Sequence, residues 1–229
     1  MNFSLEKDMI PVIKKYVGQK FKCDAIAEEL PVNHRIVDIV FAKVSLPEED
    51  RMLKDYKASF NKLTMVELDV LAEFYIKKQV SIHYLIKKLR IDSKLIKETY
   101  LNKFIKNNLI TRVSRYQYKA TDWAEIKIKE IIAIEAKLSD WKTVLRQATD
   151  NFAFSEYSYV AIDETICSEK VVRKFTDENI GVLSVRRDNV VKLVNKPKKN
   201  KSIIMGDFAL QRILVCRDLI CNKGKWNLL

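Results

Sequence analysis

Histidine is almost absent from this 229-residue chain; only His34 and His83 occur, far apart. A Ser–His or Cys–His hydrolase therefore does not fit. Cysteine is also sparse. Cys23, Cys167, Cys216 and Cys221 show no CxxC spacing, which argues against a structural zinc site or a disulfide framework and for buried, reduced thiols. No apolar run approaches the ~20 residues of a membrane span. The first residues, MNFSLEKDMIPVIKKY, lack the apolar core of a signal peptide, so the expectation is a cytoplasmic protein with no membrane partner. Internal repeats are absent too. Any hydrolytic chemistry must rest on carboxylates.

What the chain does have is charge and apolar content in globular proportions: 48% hydrophobic and 31% charged residues. Its formal net charge of +12 points to a polyanionic partner, with nucleic acid favoured over a membrane surface. A lysine-rich solubility bias would give the same number.

Residues 4–17 carry a helical stripe (Met9, Val12, Ile13, Tyr16) that Gly18 would end. Residues 20–30 and 34–44 read as strands joined at Pro31–Val32–Asn33, the second apolar on both faces except for Asp38. A charged connector (46–57) leads to helices over 63–78, 80–92 and 93–110, with Ser81 and either Ser93 or Asp92 as N-caps. TRVSRYQYKAT (111–121) alternates like a short hairpin. Three helices and a basic hairpin resemble a winged helix-turn-helix domain across 62–121, in the apolar framework Leu85–Leu89–Ile91, Leu101–Phe104 and Leu109–Ile110. In such a domain the third helix and the wing meet DNA, which assigns Lys94, Lys97, Asn102, Lys103, Lys106, Arg112 and Arg115 to DNA binding. Lysine-rich contacts give backbone docking rather than base readout. A solvated helix face is the alternative.

After the hairpin, WAEIKIKEIIAIEAKL leads into a strand, and DWKTVLRQATDNF is a helix whose stripe is Trp141, Val144, Leu145 and Ala148. A strand (158–163), a helix (167–179), a hairpin turning near 187–189, a basic linker (196–201) and an amphipathic helix (205–221) complete the chain.

One feature resists a purely structural reading. Glu135 and Lys137 stand two apart in an apolar strand, so both would project to one face. Burying such a pair is costly unless something compensates. Asp38 repeats the puzzle on an earlier strand.

That element order and these residues resemble the PD-(D/E)XK nuclease superfamily, whose restriction-endonuclease-like core holds an Asp on one strand and E-x-K on the next. Asp38 matches the first acid, Glu135–Ala136–Lys137 match E-x-K, and the next helix carries Gln147. Val37 replaces the proline, and the acid-to-acid gap is long. Glu125–Ile126–Lys127 also fits E-x-K, but the isoleucines before Glu135 suit a central strand better.

The resemblance implies an α/β fold with a mixed sheet: a nuclease-like core over 1–45 and 125–195, an inserted winged-helix domain over 46–124, and a linker plus terminal helix over 196–229. It implies a Mg²⁺ or Mn²⁺ ion on Asp38, Glu135 and the Ala136 carbonyl, with Glu29 (beside Glu28) as a further carboxylate. Lys137 would stabilise the transition state and Gln147 orient a water or a phosphate. The implied activity is DNA hydrolysis, and cutting both strands would favour a homodimer. Two readings compete: a non-catalytic DNA-binding regulator or adaptor on a nuclease-like scaffold, and a winged helix that binds protein.

Overall fold

The computed structural model describes residues 3, 5–32, 35–45, 50–200, 205–221 and 226–228. A 3₁₀ turn (Glu6–Met9) leads into α1 (Ile10–Phe21). Pro11 occupies its first turn, where a missing amide donor costs little. Gly18 does not end this helix; Lys22 does, in the left-handed region at φ 49°. β1 (Ala25–Val32) and β2 (Arg35–Ser45) pair antiparallel from Ala25↔Ala42 to Val32↔Arg35. Pro31 and Val32, expected in a turn, are strand residues, and His34 lies outside the described residues.

Next come α2 (Asp50–Asn61), α3 (Met65–Lys77), β3 (Gln79–Ser81) and α4 (Ile82–Leu89). α5 (Ser93–Leu95) continues through a π-helical segment (Ile96–Leu101) into α6 (Asn102–Lys106). β4 (Ile110–Arg112) and β5 (Gln117–Ala120) form the hairpin. Side-chain caps set the helix starts. Thr64 and Glu67 close a capping box on α3, Ser81 caps α4, and Asp92, rather than Ser93, caps α5.

The apolar run then forms a single long strand, β6 (Lys127–Lys137), followed by α7 (Trp141–Asp150), β7 (Tyr157–Asp163), α8 (Glu169–Asp177), β8 (Gly181–Val185), β9 (Val191–Asn195), α9 (Met205–Cys221) and β10 (Trp226–Leu228). The fold is mixed α/β.

The chain divides into two units: Met1–Val44, Lys129–Ile204 and Gly224–Leu229 in one, Ser45–Ile128 and Met205–Lys223 in the other. The first is built on a seven-stranded sheet ordered β10-β1-β2-β6-β7-β8-β9. β6, β7 and β8 run parallel, with α7 and α8 as the crossovers that parallel pairing requires. Met9 of the 3₁₀ turn and Ile13 and Val17 of α1 pack with Ile39, Phe41, Ile134 and Tyr159 on one face. Val144 and Ala148 of α7 and Phe175 of α8 pack with Val160, Ile162 and Val182 on the other. Each fully buried side chain of this kind contributes roughly 1.5–3 kcal/mol. The alternation of β7 between the two clusters is why this strand is apolar throughout.

The second unit has a three-stranded sheet ordered β3-β5-β4 beside α3, α4 and the α5–α6 segment. Leu85, Leu101, Phe104, Leu109 and Ile110 are buried as the sequence leads one to expect, whereas Leu89 and Ile91 are half-buried. The buried Trp123 indole N–H donates to the Leu109 carbonyl at 2.7 Å. α9 packs on α2 and α3 through a stripe that includes Ile213, Cys216 and Ile220. Residues 196–229 are therefore not a separate tail. α9 completes the second unit, β10 pairs with β1 in the first, and residues 198 and 200 are hydrogen-bonded to Asn179 and Glu156, in the connections ahead of β8 and β7 of the first unit.

Cys23, Cys216 and Cys221 are buried and Cys167 is half-buried. Burial pushes the Cys23 thiol up to about 11 and that of Cys216 to about 12, so both stay protonated. Among the described residues no helix is long and apolar enough to cross a membrane.

Candidate active site

β2 and β6 are neighbours in the sheet, which brings Asp38 beside the end of β6 although 98 residues separate it from Ala136. Asp38 Oδ2 accepts the Ala136 amide N–H at 2.8 Å. A cavity of about 290 Å³ opens here, at the carboxyl end of β6, lined among others by Glu6, Glu28, Glu29, Asp38 and Ala136. Carboxyl ends of parallel strands are the usual place for ligand sites in open α/β sheets.

Lys137, the last residue of β6, donates to Glu6 Oε2 at 2.7 Å. Glu6 was not singled out by the sequence. It lies in the 3₁₀ turn ahead of α1, and nothing in local spacing links it to a strand 131 residues on. Glu28 is tied to Lys14 by an ion pair.

Electrostatics separate the roles of the two central groups. Burial pushes the Asp38 carboxyl up, against the Ala136 N–H and the Lys137 charge, which favour its ionised form. Burial alone would lower the Lys137 pKa. The Glu6 carboxylate and the nearby charges of Asp38 and Asp140 overcome that, and the ammonium ends above the ordinary lysine value. Lys137 is a fixed cation at neutral pH and unsuited to act as a base.

The backbone is strained at the same place. Glu29 has φ 49°, a left-handed conformation that costs a non-glycine residue roughly 1–2 kcal/mol. Glu28 pairs with Ile39 and Leu30 with Val37, so Glu29 falls between them, level with Asp38. Backbone strain of this kind clusters at functional sites.

Not every residue of the implied trio meets there. Glu135 is 1% exposed, accepts from the Asn151 Nδ2 amide at 3.0 Å, and is not among the residues lining the cavity. Gln147 is half-buried on α7 and does not line it either. Strict alternation put Glu135 and Lys137 on one face. Lys137 escapes that rule because it ends its strand, where a long side chain can turn toward Glu6. Among the described residues no three or more His, Cys, Asp or Glu side chains form a group able to hold a metal ion.

In the second unit, Lys94, Lys97, Asn102 and Lys106 are exposed on the α5–α6 segment. Lys103 differs: it is ion-paired with Glu67 at 2.6 Å, so its ammonium serves packing between α3 and α6. Arg112 is exposed and donates through Nε to the Ser114 carbonyl at 3.1 Å, bracing the hairpin loop. Arg115, also exposed, lies 5.1 Å from the Tyr116 ring centre. Between Ile82 and Lys119 ten Lys and Arg stand against two acids, Asp92 and Glu98. Asp92 is itself occupied in capping α5.

The fold and site define a mixed α/β protein with an acidic cavity, a lysine paired with one of the carboxylates that line it, and a basic helix-and-hairpin unit. Comparison with protein-family models, curated proteins and solved structures gives no match.

Proposed function

We propose that this protein is a divalent-metal-dependent nuclease that hydrolyses DNA phosphodiesters, with a winged-helix unit that holds the substrate. The observation that carries it is that Asp38 lines a carboxylate-rich cavity while Lys137, from the neighbouring strand, lies close enough for its charge to act on Asp38 and pairs with Glu6, which also lines that cavity. The donor set suits Mg²⁺ or Mn²⁺. Mg²⁺ takes one or two carboxylates and keeps several waters, so a full protein cage is not required. Asp38, Glu29 and the Ala136 carbonyl are the oxygen donors at this wall, and the half-buried charge of Asp38 is one that a cation would relieve. When bound, the ion lowers the pKa of a water and neutralises charge developing at phosphorus.

The chain's own residues do the rest. Asp38 is held in place by the Ala136 amide. Glu6 keeps Lys137 protonated and held beside Asp38, and its charge would stabilise the developing phosphoryl anion. Glu135, through Asn151, anchors the end of α7 to β6. The β3-β5-β4 order with α3, α4 and α5–α6 supports the winged-helix reading, and its exposed lysines suit contacts to the DNA backbone.

A second reading has its own support. Glu135 engaged by Asn151 and Lys137 paired with Glu6 describe structural partnerships, as a non-catalytic DNA-binding scaffold would have. Incubating supercoiled plasmid with protein and Mg²⁺ or Mn²⁺ separates the two. Nicking that is lost in Asp38→Ala and Lys137→Ala, with binding retained, supports the nuclease. Binding without nicking in the wild type supports the scaffold.

A further inference from the structure

We infer that residues 196–199 form a preordered strap that contacts the phosphate backbone of nucleic acid. In the sequence KPKKNK reads as a basic linker; in the structure four hydrogen bonds from asparagines hold its backbone to the first unit. Asn179 Oδ1 accepts the Lys198 amide N–H at 2.8 Å while its Nδ2 donates to the Lys198 carbonyl at 3.0 Å. Asn200 donates through its amide N–H to the Glu156 carbonyl at 2.9 Å and through Nδ2 to the Phe152 carbonyl at 3.2 Å. Just ahead of the strap, Asn195 Nδ2 donates to the Ile180 carbonyl at 2.9 Å.

Pro197 is buried against Gly181. A Cβ on that glycine would lie 2.7 Å from Pro197 Cδ and 2.2 Å from Tyr159 Cδ1, so only glycine lets the strap approach. The clamp takes up backbone groups and one proline and leaves Lys196, Lys198 and Lys199 exposed around a hollow of about 810 Å³, with Asp177 as the acid at its rim.

Three exposed lysines on a pinned backbone suit a polyanion, because the ordering cost of the loop has been met in folding rather than at binding. The strap exposes no apolar side chain, as a membrane-surface site would need, so nucleic acid is the partner. Its position fits that use. Asn200 docks just ahead of β7, whereas Lys137 is level with Ile162 near the other end of that strand. Five residues of strand span ~17 Å, which is about half a turn of B-DNA. The strap would therefore touch backbone at a distance from the scissile bond and set the register of the substrate.

This inference rests on the nucleic-acid part of the proposed function and not on its chemical step, so the test is run in EDTA. Anisotropy of a short labelled DNA duplex is followed against salt for the full-length protein. The triple substitution Lys196→Gln, Lys198→Gln, Lys199→Gln is expected to weaken binding about tenfold and to flatten the log–log salt slope by about 2 to 3. Asn179→Ala keeps every charge but loosens the clamp; it should weaken binding less and leave the slope unchanged. Wild-type affinity and slope in the triple variant would overturn the strap, and so would tighter binding to anionic phospholipid vesicles than to duplex. Wild-type affinity in Asn179→Ala would overturn the preordering. A wild type that binds duplex without cutting it with metal leaves the strap standing and sinks the nuclease. One that binds no duplex overturns the strap and the nucleic-acid reading together.

Discussion

Asp38 carries a charge that its surroundings oppose. Its native pKa lies above the unfolded value of about 3.9, so ionisation costs stability; the cost is absent below the unfolded pKa and fully present above the native one. Asp38→Asn keeps the acceptor for Ala136 and removes the charge. It is expected to raise Tm at neutral pH, with the gap over wild type closing as pH falls toward 4, as thermal-shift measurements across pH would show. Mg²⁺ should raise the Tm of the wild type and not of the variant. Lys137→Ala should lower the cutting rate by about 10² to 10³-fold, the usual loss for a group that stabilises transition-state charge. Glu6→Gln should lower it less. Because Glu6 holds the Lys137 pKa up, its loss should also move the alkaline limb of the pH–rate profile to lower pH. An unmoved limb would mean that Glu6 does not act through Lys137. Asp38 and Lys137 were legible in the sequence as polar residues in apolar strands. Glu6 was not, since its role comes from a contact that no local period encodes.

Helices and strands were legible where periodicity is long, as in β6 and α7, and less so where a side chain overrides it. Gly18 signals a helix end, yet three residues of α1 lie beyond it up to Phe21, because a glycine can take helical dihedrals as readily as any others. The 196–200 run looked like a linker because side-chain-to-backbone clamps leave no hydrophobic pattern. Gly181 gives a direct check on that element. Gly181→Ala forces a methyl against the Tyr159 ring and Pro197, and should cost about 1–3 kcal/mol in urea unfolding. In the α5–α6 segment the lysines are not equivalent. Lys94→Ala and Lys97→Ala should each reduce the DNA-binding salt slope by about 1. Lys103→Ala should leave that slope nearly intact and lower stability instead, because its charge is engaged by Glu67.

Across the whole chain, the excess of twelve positive charges is not spread as a neutral solubility coat. It gathers in the 82–119 segment and again at 196–199, while carboxylates gather at the cavity beside β6. That segregation suits a protein that holds a polyanion by its backbone and works on it with a bound cation. The measurement that bears on this most directly is plasmid cutting with Mn²⁺ by wild type and Asp38→Asn at matched DNA occupancy. Nicking by the wild type, with none by the equally well-bound variant, is the expected result. Equal nicking by both, or none by either, would contradict a nuclease centred on Asp38.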